Sequence, residues 1–183
     1  MRRLQIGVAG SSDLNPFEEA VEKARIFART LLRYKDEIVL ITGGREGLMR
    51  VVSEEFTSGG GIVVGVLPYE EEGNIYSTVK LKTGISTIMR SGTIIHSSDC
   101  VVILGGGAGT MIEALMAYNM GKHLILLLET GYRSDKLPLL LEEECFDHRR
   151  LVKVYTTKDP EEAAIKAVEF ARKYVKSIDF STE

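Results

Sequence analysis

Short all-apolar runs alternate along the chain with segments whose apolar residues recur at helical spacing. Leu4-Gln5-Ile6-Gly7-Val8-Ala9 predicts a buried strand closed by Gly10-Ser11-Ser12. Asn15 and Pro16 then predict a helix start, as cap and first helical residue. Phe17, Ala20, Ala24, Phe27 and Leu31 mark the buried stripe of that helix. Residues 38–41 predict a second strand, ending in Thr42-Gly43-Gly44, and a helix over about 46–56 that Gly59-Gly60-Gly61 stops. A third strand spans 62–67 and ends at Pro68.

The second half repeats the alternation. An acidic stretch over 69–76 leads to a fourth strand near 78–82, and Thr83-Gly84 turns the chain into a helix carrying Arg90. Residues 100–104 form a fifth strand, whose glycine-rich loop feeds a helix over about 110–119. A sixth strand covers 124–128, a helix 137–145 and a last strand about 152–155. Asp159-Pro160-Glu161-Glu162 caps and opens the closing helix, with acids at its positive end. Strands that are apolar throughout are covered on both faces, and helical connections between them imply parallel pairing. The pattern predicts one α/β domain over residues 1–183, a Rossmann-like doubly wound parallel sheet of about seven strands with helices on both faces.

Composition narrows the function classes. A chain of 183 residues with 44% hydrophobic and 27% charged residues can bury a core without disulfide or metal staples. A net charge of −3 gives no general attraction for nucleic acid, so an anionic ligand needs a local site. No run is long enough to span a bilayer, and Met1-Arg2-Arg3-Leu4 lacks the apolar stretch of a signal peptide. A cytoplasmic location is expected, with Cys100 and Cys145 reduced. His96, His123 and His148 are scattered and match no metal or triad arrangement, so no metal is expected.

In doubly wound sheets ligands bind beyond the carboxyl ends of the strands. The fifth such end is Gly105-Gly106-Gly107-Ala108-Gly109-Thr110. Glycines let the backbone approach a phosphate, and the following helix offers N–H groups and a positive dipole end. Thr110 and Glu113, three residues apart, share one side of the first turn. Arg90, in a small and apolar helical segment, is placed to meet an anion or a carboxylate. Ser11 and Ser12 can either cap a turn or bind phosphate. The loop is no standard dinucleotide fingerprint, since it follows the fifth strand, and no Walker loop, since no Lys precedes Thr110.

Several ordered motifs resemble the LOG family, once labelled "possible lysine decarboxylases". Its P-G-G-x-G-T-x-x-E motif is matched by the segment from Gly105 to Glu113, and its G-G-G-x-x-G-L-M motif by Thr42-Gly43-Gly44-Arg45-Glu46-Gly47-Leu48-Met49. Gly10-Ser11-Ser12, Gly65-Val66-Leu67-Pro68, Arg90 and Asp99 also fall on family positions. The resemblance implies cleavage of the N-glycosidic bond of a nucleoside 5′-monophosphate. Arg90 and Glu113 would be the catalytic pair, with no cofactor. Gly10, Ser11, Ser12, Gly43, Gly44, Gly106, Gly107, Ala108, Gly109 and Thr110 would bind phosphate and nucleotide. It also implies a homo-oligomer, dimer or tetramer, with Met116, Tyr118 and Met120 as interface candidates.

Three departures stand out: Gly105 where the motif has Pro, Thr42 for its first glycine, and Ser91 where cytokinin-activating members have Lys. The region from Thr83 to Arg90 resembles a small branch that includes molybdenum cofactor carrier proteins. A non-catalytic carrier of a phosphorylated cofactor is therefore the second expectation. No lysine occupies a recognisable pyridoxal site, so the decarboxylase label finds no support.

Overall fold

The computed structural model describes residues 2–179; Met1 lies outside them. In chain order the elements are β1 (Leu4–Ala9), α1 (Glu18–Leu31), β2 (Ile38–Thr42), α2 (Leu48–Ser58), β3 (Val63–Leu67) and β4 (Val79–Lys82). Then follow α3 (Thr87–Ser97), β5 (Cys100–Ile103), α4 (Ala108–Asn119), β6 (His123–Leu127), β7 (Val154–Thr157) and α5 (Pro160–Asp179). The seven strands form one parallel sheet in the order β4-β3-β2-β1-β5-β6-β7.

Alternate side chains of each strand serve opposite layers. Ile6, Leu40, Val102 and Ile125 pack with Phe27 of α1, Phe56 of α2 and Ala167 of α5. Val101, Ile103 and Leu126 pack on the other side, with Ile95 of α3 and Ala117 of α4. Each fully buried Leu, Ile or Phe contributes about 1.5–3 kcal/mol of transfer free energy. Double coverage is why the central strands are apolar without alternation. β4, at the sheet edge, is exposed along its whole length and is the one strand rich in lysine, a common guard against edge pairing.

Strand order reverses between β1 and β5. The chain leaves β1 for α1 on one face and β5 for α4 on the other, so their connections diverge and a crevice opens at their carboxyl ends.

Four expected boundaries are corrected. Asn15 does not cap α1: the helix starts at Glu18 after Phe17, while Asn15 donates its N–H to the Asp13 carboxylate. α2 starts at Leu48, because Gly47 sits at φ +72° and breaks the helix there. No α-helix covers 137–145. A 3-10 segment, Arg133–Leu140, ends in an isolated bridge between Glu142 and Cys145, because Pro138 supplies no N–H donor for α-helical bonding. β7 lies two residues later than expected, in register with β6 at Leu124–Val154.

Candidate functional site

A cleft of about 270 Å³ lies over the switch between β1 and β5. The loop after β1 supplies Gly10, Ser11 and Ser12, and the β5 loop with the start of α4 supplies Gly107, Gly109, Thr110 and Glu113. Arg90 and Ser91 enter from α3. Two loops from distant sequence form one rim because the Ser11 N–H donates to the Gly105 carbonyl at 2.8 Å. The Leu48 N–H donates to the Ser11 carbonyl at 2.9 Å, docking the start of α2 on the same loop.

At the head of α4, Met111 is the first residue whose N–H bonds back, to the Gly107 carbonyl. The N–H groups of Ala108, Gly109 and Thr110 therefore have no intrahelical acceptor, and the positive end of the helix dipole adds to them. Gly107 caps the helix without a side-chain bond, and a Cβ there or at Gly109 would meet nothing within 4 Å. The Gly106 amide is not part of this donor set. It donates to Ser134 Oγ at 3.0 Å, and the Gly106 carbonyl accepts from the Ser134 N–H, so the 3-10 segment clamps the loop from behind.

Arg90 is 3% exposed. Its Nη1 donates to the Val66 carbonyl at the end of β3 at 3.1 Å, while its Nε has no hydrogen-bond partner among the described residues. Burial pulls its pKa down, and the nearby Glu113 opposes that shift. A buried cation with an unused donor, lining a cleft, is suited to an anion. Gly43 does not line the cleft: a Cβ on it would fall 2.2 Å from Arg90 Nη1, so its smallness makes room for the guanidinium. Gly44, at φ +64°, lies against Gly65 of β3 and accepts from the Asn74 N–H. Gly43 thus leaves room for the guanidinium, Gly44 packs on β3, and neither lines the cleft.

Glu113 sits one turn inside α4. Burial pushes its carboxyl pKa up, against the hydrogen bond from Ser91 and the charge of Arg90. Among the described residues no ion pair joins Glu113 to Arg90; Ser91 Oγ donates to Glu113 Oε1 at 2.8 Å. Arg45, Met49, Thr87, Ile88, Ser91 and Ile112 also line the cleft and were not among the expected ligand contacts. Ser91 had a signal, as the departure beside Arg90, and Ile88 and Thr87 precede Arg90 by less than one turn. Arg45 pairs with Glu71 at 3.0 Å. Asp99, a family position, serves the fold, since it binds Arg2 and the Gln5 N–H. Tyr118 is buried with its hydroxyl at Asp147, which removes it from any interface.

This geometry can be set against known proteins. The model of the SLOG cluster4 family matches residues 3–164. The chain belongs to that family. An uncharacterized protein of Archaeoglobus fulgidus is 34% identical over 130 residues, covering 69% of this chain and 82% of that one. The X-ray structure of TM1055 superposes with a TM-score of 0.84 at 36% identity, covering 91% of this chain and 98% of its own. A molybdenum cofactor binding protein of Rippkaea orientalis gives 0.76 at 26% identity, with 92% and 97% coverage. The molybdenum cofactor carrier protein of Chlamydomonas reinhardtii gives 0.76 at 25%, with 94% and 99% coverage. The LOG-like assignment and its nearness to the carrier branch both hold. No helix among the described residues is long and apolar enough to cross a membrane.

Proposed function

We propose that this SLOG protein binds a nucleoside 5′-monophosphate in the cleft and hydrolyses its N-glycosidic bond to a free base and ribose 5-phosphate. The observation that carries this reading is the shared cleft of Arg90, with its unused Nε, the open amides of α4 and the buried carboxyl of Glu113. Phosphate takes the amides of Ala108, Gly109 and Thr110 with the Thr110 hydroxyl, and Arg90 supplies the charge. That anchorage sets the ribose against Glu113. As the C1′–N bond breaks, its electron pair leaves with the base, and ionised Glu113 stabilises the cationic sugar and takes a proton from the attacking water. The same proton passes on to the departing base nitrogen.

Purified protein incubated with AMP and N6-substituted AMP is expected to release base. Glu113→Gln is expected to slow release by about 10²–10⁴-fold, the usual worth of a positioned acid–base group. Base release from neither nucleotide would defeat the reading. The ionised carboxylate is the working form, and its pKa is raised, so activity falls on the acid side with a midpoint above the ordinary 4.5. The stability consequence has a definite sign. A carboxyl with a raised folded-state pKa destabilises the fold progressively as pH rises from 4.5 through that pKa, so Glu113→Gln melts higher than wild type at neutral pH. That gap closes as pH falls toward 4.5.

The resemblance to the two molybdenum cofactor proteins supports a second reading, a carrier that holds a phosphorylated ligand without turnover. Retention of such a ligand with no base release from any nucleotide would favour it. Under either reading a second copy covers the apolar side chains beside the cleft, where Ile88 is 59% and Met89 67% exposed on α3, with Ile112 and Leu115 on α4. Ile88→Asp is expected to move the light-scattering mass of the purified protein to that of one chain.

A further inference from the structure

Among the described residues, the hydroxyl bonded to Glu113 has two places to send its proton. Ser91 Oγ lies 2.8 Å from Glu113 Oε1 and 3.2 Å from the Thr87 carbonyl, one turn back on its own helix. A serine hydroxyl carries one proton and two lone pairs, so it cannot donate to both at once. We infer that Ser91 is a positioning residue that rotates its hydroxyl between these acceptors, keeping Glu113 hydrogen-bonded in both protonation states. With Glu113 ionised, Ser91 O–H donates to Oε1. When Oε1 takes up a proton, the new carboxyl O–H donates to Ser91 Oγ, and the serine proton swings to the Thr87 carbonyl. Ser91 neither gains nor loses a proton, and no bond other than hydrogen bonds changes.

Burial makes this matter. A carboxyl that loses its partner inside a cleft bears the full desolvation cost of an unsatisfied polar group. A fixed cationic donor such as a lysine can serve only the carboxylate, since an ammonium has no acceptor. A hydroxyl serves carboxylate and carboxylic acid alike, which suits a group that must take and return a proton. The charged surroundings are sparse. Arg90 faces Glu113 from α3, and α4 carries no other charged side chain. Arg45 lies along the same cleft but is engaged by Glu71, and Asp135 of the 3-10 segment is held by Thr130 and Gly131.

This inference rests on the reading that Glu113 changes protonation during turnover, yet it can be tested without any substrate. Difference infrared spectra of the whole protein, with Glu113→Gln subtracted, follow the Glu113 carboxyl band across pH. Ser91→Ala is expected to move the titration midpoint upward, because the donor that favours the carboxylate is gone, and to broaden and shift the carboxylic-acid band. Ser91→Thr, which keeps a hydroxyl, is expected to restore both toward wild type. Ser91→Cys, a near-isostere with a weak donor, falls between them and serves if the alanine variant does not fold. A midpoint that stays put or moves down in folded Ser91→Ala or Ser91→Cys overturns the inference. So does a carboxylic-acid band identical to wild type. Absence of base release with a shifted midpoint would instead overturn the hydrolase reading and leave this one standing.

Discussion

Arg90→Met is expected to weaken binding of AMP and of inorganic phosphate by about 100-fold, with little loss of stability. A hydrogen bond to a charged group contributes about 1.5–3 kcal/mol, and truncating one partner of a buried charged contact costs roughly 2–5 kcal/mol. At about 1.4 kcal/mol per tenfold, a 100-fold change is about 2.8 kcal/mol, which falls inside both spans. Stability follows a different balance. The guanidinium is buried with one bond to Val66 and an unused Nε, so the protein bears its desolvation with little internal return. Methionine fills the stem's volume without a charge, and the Val66 carbonyl loses one donor, so the two changes roughly offset. Titration calorimetry with both ligands, beside thermal melting of each protein, reads the two effects separately. Unchanged affinity for both ligands would remove Arg90 from the site.

The other large effect is expected where the chain departs from the LOG motif. Gly105→Pro restores the proline of that motif, yet here it should destabilise by about 3 kcal/mol or more, the usual scale for proline forced on an incompatible backbone. Gly105 sits at φ +106°, and proline is held near −65°. Even a plain Cβ would fall 2.6 Å from Thr130 Oγ1. The Gly105 carbonyl also accepts from the Ser11 N–H, so turning this peptide pulls apart the two loops that form the rim. Urea unfolding is expected to show a lower midpoint, and phosphate affinity should fall with it. A variant as stable as wild type would mean that the loop reaches the same cleft with a negative φ.

Local patterns carried far into this fold. Both-sided burial wrote itself into the central strands, since residues covered on each face must be apolar at every position, and those strands lie close to where the apolar runs placed them. Errors gathered where local chemistry competes with tertiary demand. Asn15 and Pro16 form a good helix start in isolation, but Asp13 captures the Asn15 amide and the helix begins only at Glu18. The 137–145 stretch predicts a helix, but Pro138 withholds a backbone donor, and only residues 137–140 are helical, in a 3-10 form, before the bridge between Glu142 and Cys145.

The site divides in the same way. Glycines, Thr110, Arg90 and Glu113 stood out by residue type, because close backbone approach, a helix start and a lone charge among small residues each leave a mark on the sequence. Their division of labour did not. That Gly43 clears space for Arg90, that Ser134 occupies the Gly106 amide, and that Ser91 rather than Arg90 holds Glu113 depend on contacts between residues 22 to 47 positions apart.

By itself, then, the amino-acid order determined a parallel α/β sheet and the glycine-bearing helix start that ends its fifth strand, since burial and backbone freedom are properties of short segments. The tertiary structure alone decided which donors stay open to a ligand. A donor's availability depends on what else packs against it, and α3, α4 and the 3-10 segment meet only once the sheet has brought them together.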